Sequence, residues 1–185
     1  VSIDPTNITD YNRSDAELEE FMLFCIAAAG KNSQTQARAL KRFFIWKSPS
    51  DSPFEFIKSL ERQHQLSSEL RNSRLGKYNL LYSAFNEVSH AELRRSTPAD
   101  LEKITGIGPK TARMFILHSR PYQQYAVLDT HVLKWLGKNL GIKVPKNSPS
   151  GVRYKELEDL FIEVAGYRQV TCADLDLQIW NEAQK

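Results

Sequence analysis

An all-α fold follows from three features of the 185-residue chain. Apolar residues recur at helical spacing almost throughout. Helix starts are written as cap residues or cap–Pro pairs, at Ser14, Ser52-Pro53 and Thr97-Pro98. No segment shows the period-two alternation that a half-buried strand requires.

The elements follow in order. Ser14-x-x-Glu17 is a capping box ahead of a helix expected to run to Ala29, with Gly30 as its stop. A second helix is expected from Ser33 through Phe44. Ser52-Pro53 opens a third, with Pro at the first helical position. Residues 67–73 and 76–89 read as two more, the second carrying Tyr78, Leu81, Tyr82 and Phe85 on one face. Thr97-Pro98 and Pro109 open the next two. Asp129 precedes an apolar stripe of Leu133, Leu136 and Leu140. Residues 141–151 read as a loop, and residues 152–165 and 171–183 close the chain as helices. Many short helices predict two packed helical subdomains flanking a cleft rather than one long coiled coil. The expected grouping is a single domain over 1–185, with one subdomain at 30–130, ending in a hairpin at 101–120, and the other at 1–29 plus 131–185.

Composition narrows the function classes. With 41% hydrophobic and 25% charged residues the chain is too apolar for disorder. No apolar run approaches the ~20 residues of a membrane helix. The polar, acidic start of the chain shows no signal-peptide pattern, so a cytoplasmic location is expected, nucleoid-associated in a prokaryote. The net charge of +3 is too small to argue from, but its distribution is uneven. Residues 101–150 carry 8 basic side chains against 2 acidic ones. A local basic block is the usual footprint of a phosphate-backbone binder, and otherwise an ordinary solvated face. Two cysteines, Cys25 and Cys172, cannot ligate a four-cysteine iron–sulfur cluster or zinc site.

The basic block contains Leu101-Glu-Lys-Ile-Thr-Gly-Ile-Gly-Pro-Lys-Thr-Ala112. A short helix, a turn with Gly106 and Gly108, and a helix starting at Pro109 make a helix-hairpin-helix pattern. The two glycines permit positive φ and leave the backbone open to an approaching group. The turn N–H groups and the helix N-terminus suit a phosphate, so Gly106, Ile107, Gly108 and Thr111 are the expected DNA-backbone contacts. The alternative is a plain packing corner between two helices.

Nineteen residues beyond Lys110 stands Val127-Leu-Asp-Thr-His-Val132. Hairpin, Lys110 and Asp129 together resemble the helix-hairpin-helix (HhH-GPD) DNA glycosylase superfamily, most clearly over 101–136. Phe24-Cys-Ile-Ala27, Leu128-Asp-Thr-His-Val-Leu-Lys-Trp-Leu136 and Asp174-Leu-Asp-Leu-Gln-Ile-Trp180 are similar to the compact type-2 8-oxoguanine DNA glycosylase/AP lyases of archaea and bacteria. That resemblance implies a bifunctional enzyme with Lys110 as nucleophile and Asp129 as its acidic partner. The chemistry is coherent with it. A Lys amine attacks the sugar C1′ only when neutral, and a helix N-terminus facing a partly desolvated cleft disfavours the ammonium. Asp129 also reads as a helix N-cap, and a carboxylate fixed by capping can stabilise the cation that develops on the sugar. His131 is implied as a phosphate neighbour.

Excision requires the base to leave the duplex. The resemblance implies that residues of the loop after the first long helix fill the gap, which makes Lys31 and Asn32 the candidates here. Met114 is a candidate for the base pocket or for core, and Trp180 for stacking on a flipped purine or for anchoring the last helix. Lys185 is the corresponding terminal lysine. The expected activity is therefore excision of an oxidised base, 8-oxoguanine foremost, followed by β-elimination. The alternatives are oxidised pyrimidines on the same fold, or a non-catalytic DNA-binding module. The expected partner is double-stranded DNA with a damaged base, bound by a monomer. No resident metal or cofactor is expected, the one ion left open being a monovalent cation at the hairpin.

Overall fold

The computed structural model describes residues 3–183. Among these residues it is entirely helical, with no strand: α1 Asp15–Ala28, α2 Ser33–Phe43, α3 Pro53–Arg62, α4 Leu66–Asn72, α5 Tyr78–Val88, α6 Pro98–Leu101, α7 Pro109–Ser119, α8 Thr130–Leu140, α9 Gly151–Tyr167 and α10 Cys172–Glu182. The chain divides into two compact units. Unit 1 takes in the chain up to Ile8 and Asn12–Gly108; unit 2 takes in Thr9–Tyr11 and everything from Pro109.

The helix starts are chemically explicit. Ser14 accepts from the Glu17 N–H while the Glu17 carboxylate accepts from the Ser14 N–H, the reciprocal capping box. Thr97 and Asp100 repeat that arrangement at α6. Ser52 caps α3 ahead of Pro53. The helix expected from residue 76 begins at Tyr78, because Gly76 and Lys77 both sit at positive φ (+69° and +48°).

Unit 1 is built around α1, which buries nine of its side chains from Leu18 to Ala28 and packs on α2, α3 and α5. Phe43 of α2 lies at its aromatic centre, with edge-on contacts to Phe44, Phe56 and Phe85 at ring separations of 5.3, 5.6 and 5.7 Å. This corrects the expected grouping of residues 1–29 with the C-terminal helices. A helix that is apolar on nearly every face needs several partners, and α1 finds them in unit 1.

Unit 2 has its own core of Leu117, Ala126, Val127, Leu128, Val132, Leu133, Leu136, Tyr154, Leu157 and Phe161, with the buried face of α10. The expected subdomain boundary at 130 therefore moves to Gly108/Pro109, since α7 and the Ala126–Leu128 segment belong to this second core.

Candidate active site in unit 2

The hairpin turn is the last part of unit 1. Gly106 adopts φ +80°, with Leu80 of α5 at 3.1 Å from where a Cβ would stand. Only this glycine needs the left-handed region; Gly108 does not, and nothing lies within 4 Å of its open side. The turn is held from α5 by Glu87, whose carboxylate accepts from the Thr105 N–H at 2.7 Å. That hydrogen bond holds Glu87 below the usual carboxylate range. Two of the expected DNA contacts present no side chain at the surface. Ile107 is buried and its N–H bonds the Ile104 carbonyl, so neither side chain nor amide faces outward. Thr111 is only 4% exposed, so its hydroxyl is not presented at the surface.

Lys110 is the second residue of α7 and is half-buried. Asp129 is the N-cap of α8. Its Oδ1 accepts from the His131 and Val132 N–H groups at 2.8 and 2.9 Å, which leaves Oδ2 outside the cap. The carboxylate is thus fixed by two backbone donors. His131 lies half-buried beside it, with its N–H committed to that cap.

A third ionisable group of unit 2 stands within the run Asp174–Trp180. Asp176 of α10 is buried, and both the Lys110 cation and the Asp129 anion act on its carboxyl. Burial pushes Asp176 above the usual carboxylate range, against the pull of its hydrogen bond to His118. That bond joins His118 Nε2 to Asp176 Oδ2 at 3.0 Å, and His118 has no exposure at all. On the other ring edge Nδ1 meets the Thr9 hydroxyl at 2.7 Å. A neutral ring with its proton on Nε2 satisfies both contacts. Arg113, one turn beyond Lys110, pairs with buried Glu158 at 2.7 Å and lies over the Tyr154 ring at 4.6 Å.

The remaining candidates fall elsewhere. Lys31 and Asn32 belong to unit 1. Lys31 Nζ donates to the Leu75 carbonyl, and Lys77 Nζ reciprocates to the Ala29 carbonyl at 3.1 Å. Asn32 caps α2 by accepting from the Thr35 N–H at 2.9 Å. Met114 packs against the unit 2 core, which favours its core reading. Trp180 is half-buried on α10. Lys185 lies outside the described residues. Both cysteines are buried, one in each unit. Among the described residues no group of three or more His, Cys, Asp or Glu side chains could hold a metal ion, and no helix is long and apolar enough to cross a membrane.

Comparison with known proteins adds an independent line. A family model, Ogg-HhH, described as 8-oxoguanine DNA glycosylase, matches residues 5–170. An 8-oxoguanine DNA glycosylase/AP lyase of Picrophilus torridus is 36% identical over 80 residues, which make up 43% of this chain and 37% of that protein. The match thus spans little more than a third of that relative. Two solved structures share the fold. The Methanocaldococcus jannaschii 8-oxoguanine glycosylase/lyase, in complex with a 15mer DNA containing 8-oxoguanine, superposes with a TM-score of 0.66 at 20% identity, over 91% of this chain and 81% of that one. A second structure, of the M. jannaschii 8-oxoguanine DNA glycosylase, gives 0.63 at 23% identity, over 94% and 81%.

Proposed function

The chain belongs to the Ogg-HhH family of 8-oxoguanine DNA glycosylases, and from that premise we propose that it excises 8-oxoguanine from double-stranded DNA and then cleaves the strand as an AP lyase. The observation that carries the reading is the placement in one unit of Lys110, in the first turn of α7, and of Asp129, whose carboxylate is fixed by two α8 amides. Lys110 is the nucleophile and Asp129 the fixed carboxylate. In the first step the neutral Nζ attacks C1′, the C1′–N9 bond breaks, and the base departs with the bonding electrons and takes up a proton. Asp129 stabilises the positive charge on the sugar as this bond stretches. Ring opening then gives a Schiff base between Lys110 and C1′. Loss of a C2′ proton to Asp129 or solvent breaks the C3′–O bond and releases the 3′ phosphate. Gly106, Gly108 and basic side chains of residues 101–150 contact the DNA backbone, and the protein acts as a monomer.

Borohydride trapping tests this directly. The reductant converts the Schiff base to a stable amine, so wild type on an 8-oxoguanine duplex gives a covalent adduct and Lys110→Ala gives none. A panel that includes thymine glycol decides the lesion, since preferential trapping there transfers the activity to oxidised pyrimidines. Binding without an adduct on any lesion leaves a DNA-binding module in its place. Binding should weaken steeply between 50 and 200 mM salt, as counterion release requires.

A further inference from the structure

The segment that delivers Asp129 raises a physical problem. Ala126, Val127 and Leu128 are all buried, yet they form neither helix nor strand. A buried irregular stretch must have its N–H and C=O groups satisfied by something other than a regular ladder. Three of those groups are met by two side chains of α9. Glu158 Oε1 accepts from the Ala126 N–H at 3.1 Å. The Tyr154 hydroxyl donates to the Ala126 carbonyl at 2.7 Å and accepts from the Leu128 N–H at 3.4 Å. Past Leu128 the chain tightens further, the Asp129 N–H bonding the Val127 carbonyl at 2.6 Å.

Both α9 residues are held to this task. Tyr154 is 2% exposed and Glu158 likewise 2%. The same Glu158 oxygen accepts from Arg113 Nε at 2.7 Å, and Arg113 lies one turn beyond Lys110 on α7. Burial holds the Tyr154 phenol well above its ordinary range, so it remains a donor at any working pH. An apolar pair at these positions would fill the space without fixing the path of the chain, and a buried carboxylate is costly unless its bonds are needed.

We propose that Tyr154 and Glu158 are positioning residues for Asp129, clamping the Ala126–Leu128 segment so that the α8 cap carboxylate keeps one position relative to the helix that carries Lys110. The proposal rests on the glycosylase reading for its catalytic consequence, but the clamp itself can be observed without activity. The variants are Tyr154→Phe, Glu158→Ala and Glu158→Gln in the full chain. The first measurement is amide hydrogen exchange at His131 and Val132, whose N–H groups hold Asp129. The clamp predicts exchange there about tenfold faster or more in Tyr154→Phe and Glu158→Ala. Amides of central α10 such as Leu175 and Ile179 stay at wild-type rates. The second is single-turnover excision, with kcat down about 10- to 100-fold and duplex affinity unchanged. Glu158→Gln keeps the acceptor for the Ala126 N–H and recovers most of the loss. Wild-type protection at His131 and Val132 in both Tyr154→Phe and Glu158→Ala overturns the clamp. So does a uniform rise across α7–α10, which marks general loosening. A wild-type protein that excises nothing overturns the glycosylase reading instead, while the exchange data still decide the clamp.

Discussion

In unit 1 the buried serines look inward to their own turns. Ser73, Ser89 and Ser96 each donate to a carbonyl three or four residues back, at 2.6, 2.7 and 2.8 Å. In unit 2 Ser119 does the same, donating to the Phe115 carbonyl at 2.6 Å, but the ionisable side chains reach across the sequence. His118 meets Asp176 58 residues on, Arg113 meets Glu158 45 residues on, and Glu158 holds Ala126. Local hydroxyl bonds add little to specificity, because the same carbonyl is already in a helix ladder. Buried ionisable pairs between elements are costly to desolvate and repay that cost only when their geometry is complete. Unit 1 therefore keeps its buried hydroxyls local, while unit 2 adds to its apolar core two ionisable pairs between elements, Arg113–Glu158 and His118–Asp176.

The contrast predicts that damage to the two units reads out differently. Phe43→Ala removes the aromatic centre of unit 1 and should cost about 3–5 kcal/mol of stability. Excision per folded molecule should stay at the wild-type rate, measured by single turnover well below the melting temperature. A large drop in that rate would mean that the unit 1 core shapes the chemistry, and the division of labour would be broken.

Asp129→Asn inverts the expectation. Asn caps helices as well as Asp, so the α8 start and the melting temperature should be nearly unchanged. The charge that stabilises the developing sugar cation is lost, and excision should fall about 100-fold. Comparable damage to stability and rate would show that the cap, rather than the carboxylate charge, is what matters at this position.

The sequence carried this fold unusually openly because its helix starts are side-chain caps, and caps are local. Ser14, Ser52, Thr97 and Asp129 each accept the amide that the sequence motif implies. The hairpin was legible for the same reason, whereas the pairing of Lys110 with Asp129 came from the family resemblance. The unit boundary was not, because nothing local in an almost wholly apolar helix says which neighbours will cover it. His118, Asp176 and Glu158 were missed because their partners lie 32 to 58 residues away. One signal was available. Asp176 stands among Ala173, Leu175 and Ile179 on the buried face of α10, and Glu158 among Tyr154, Leu157 and Phe161 on that of α9. A carboxylate in register with an apolar stripe marks a buried partner.

The smallest expected effect is also the one that most sharpens the comparison. Burial raises the Asp176 carboxyl in the folded protein. The group therefore favours folding in acid, below the ordinary Asp range near 3.9. That contribution is lost as the pH rises through the elevated folded value, because the ionised form must then be kept out of water. Asp176→Asn keeps an acceptor for His118 and removes the charge. It should match wild type in stability near pH 4 and exceed it by about 1 kcal/mol at pH 7, read as melting temperature against pH. Excision should fall at the same time, since a buried carboxyl of the unit that holds Lys110 and Asp129 is gone. A variant that is less stable than wild type at pH 7 would show that the ionised His118–Asp176 pair holds unit 2 together. The charges of unit 2 would then be structural cement, and the trade of stability for chemistry would be absent from the site where it is most exposed to test.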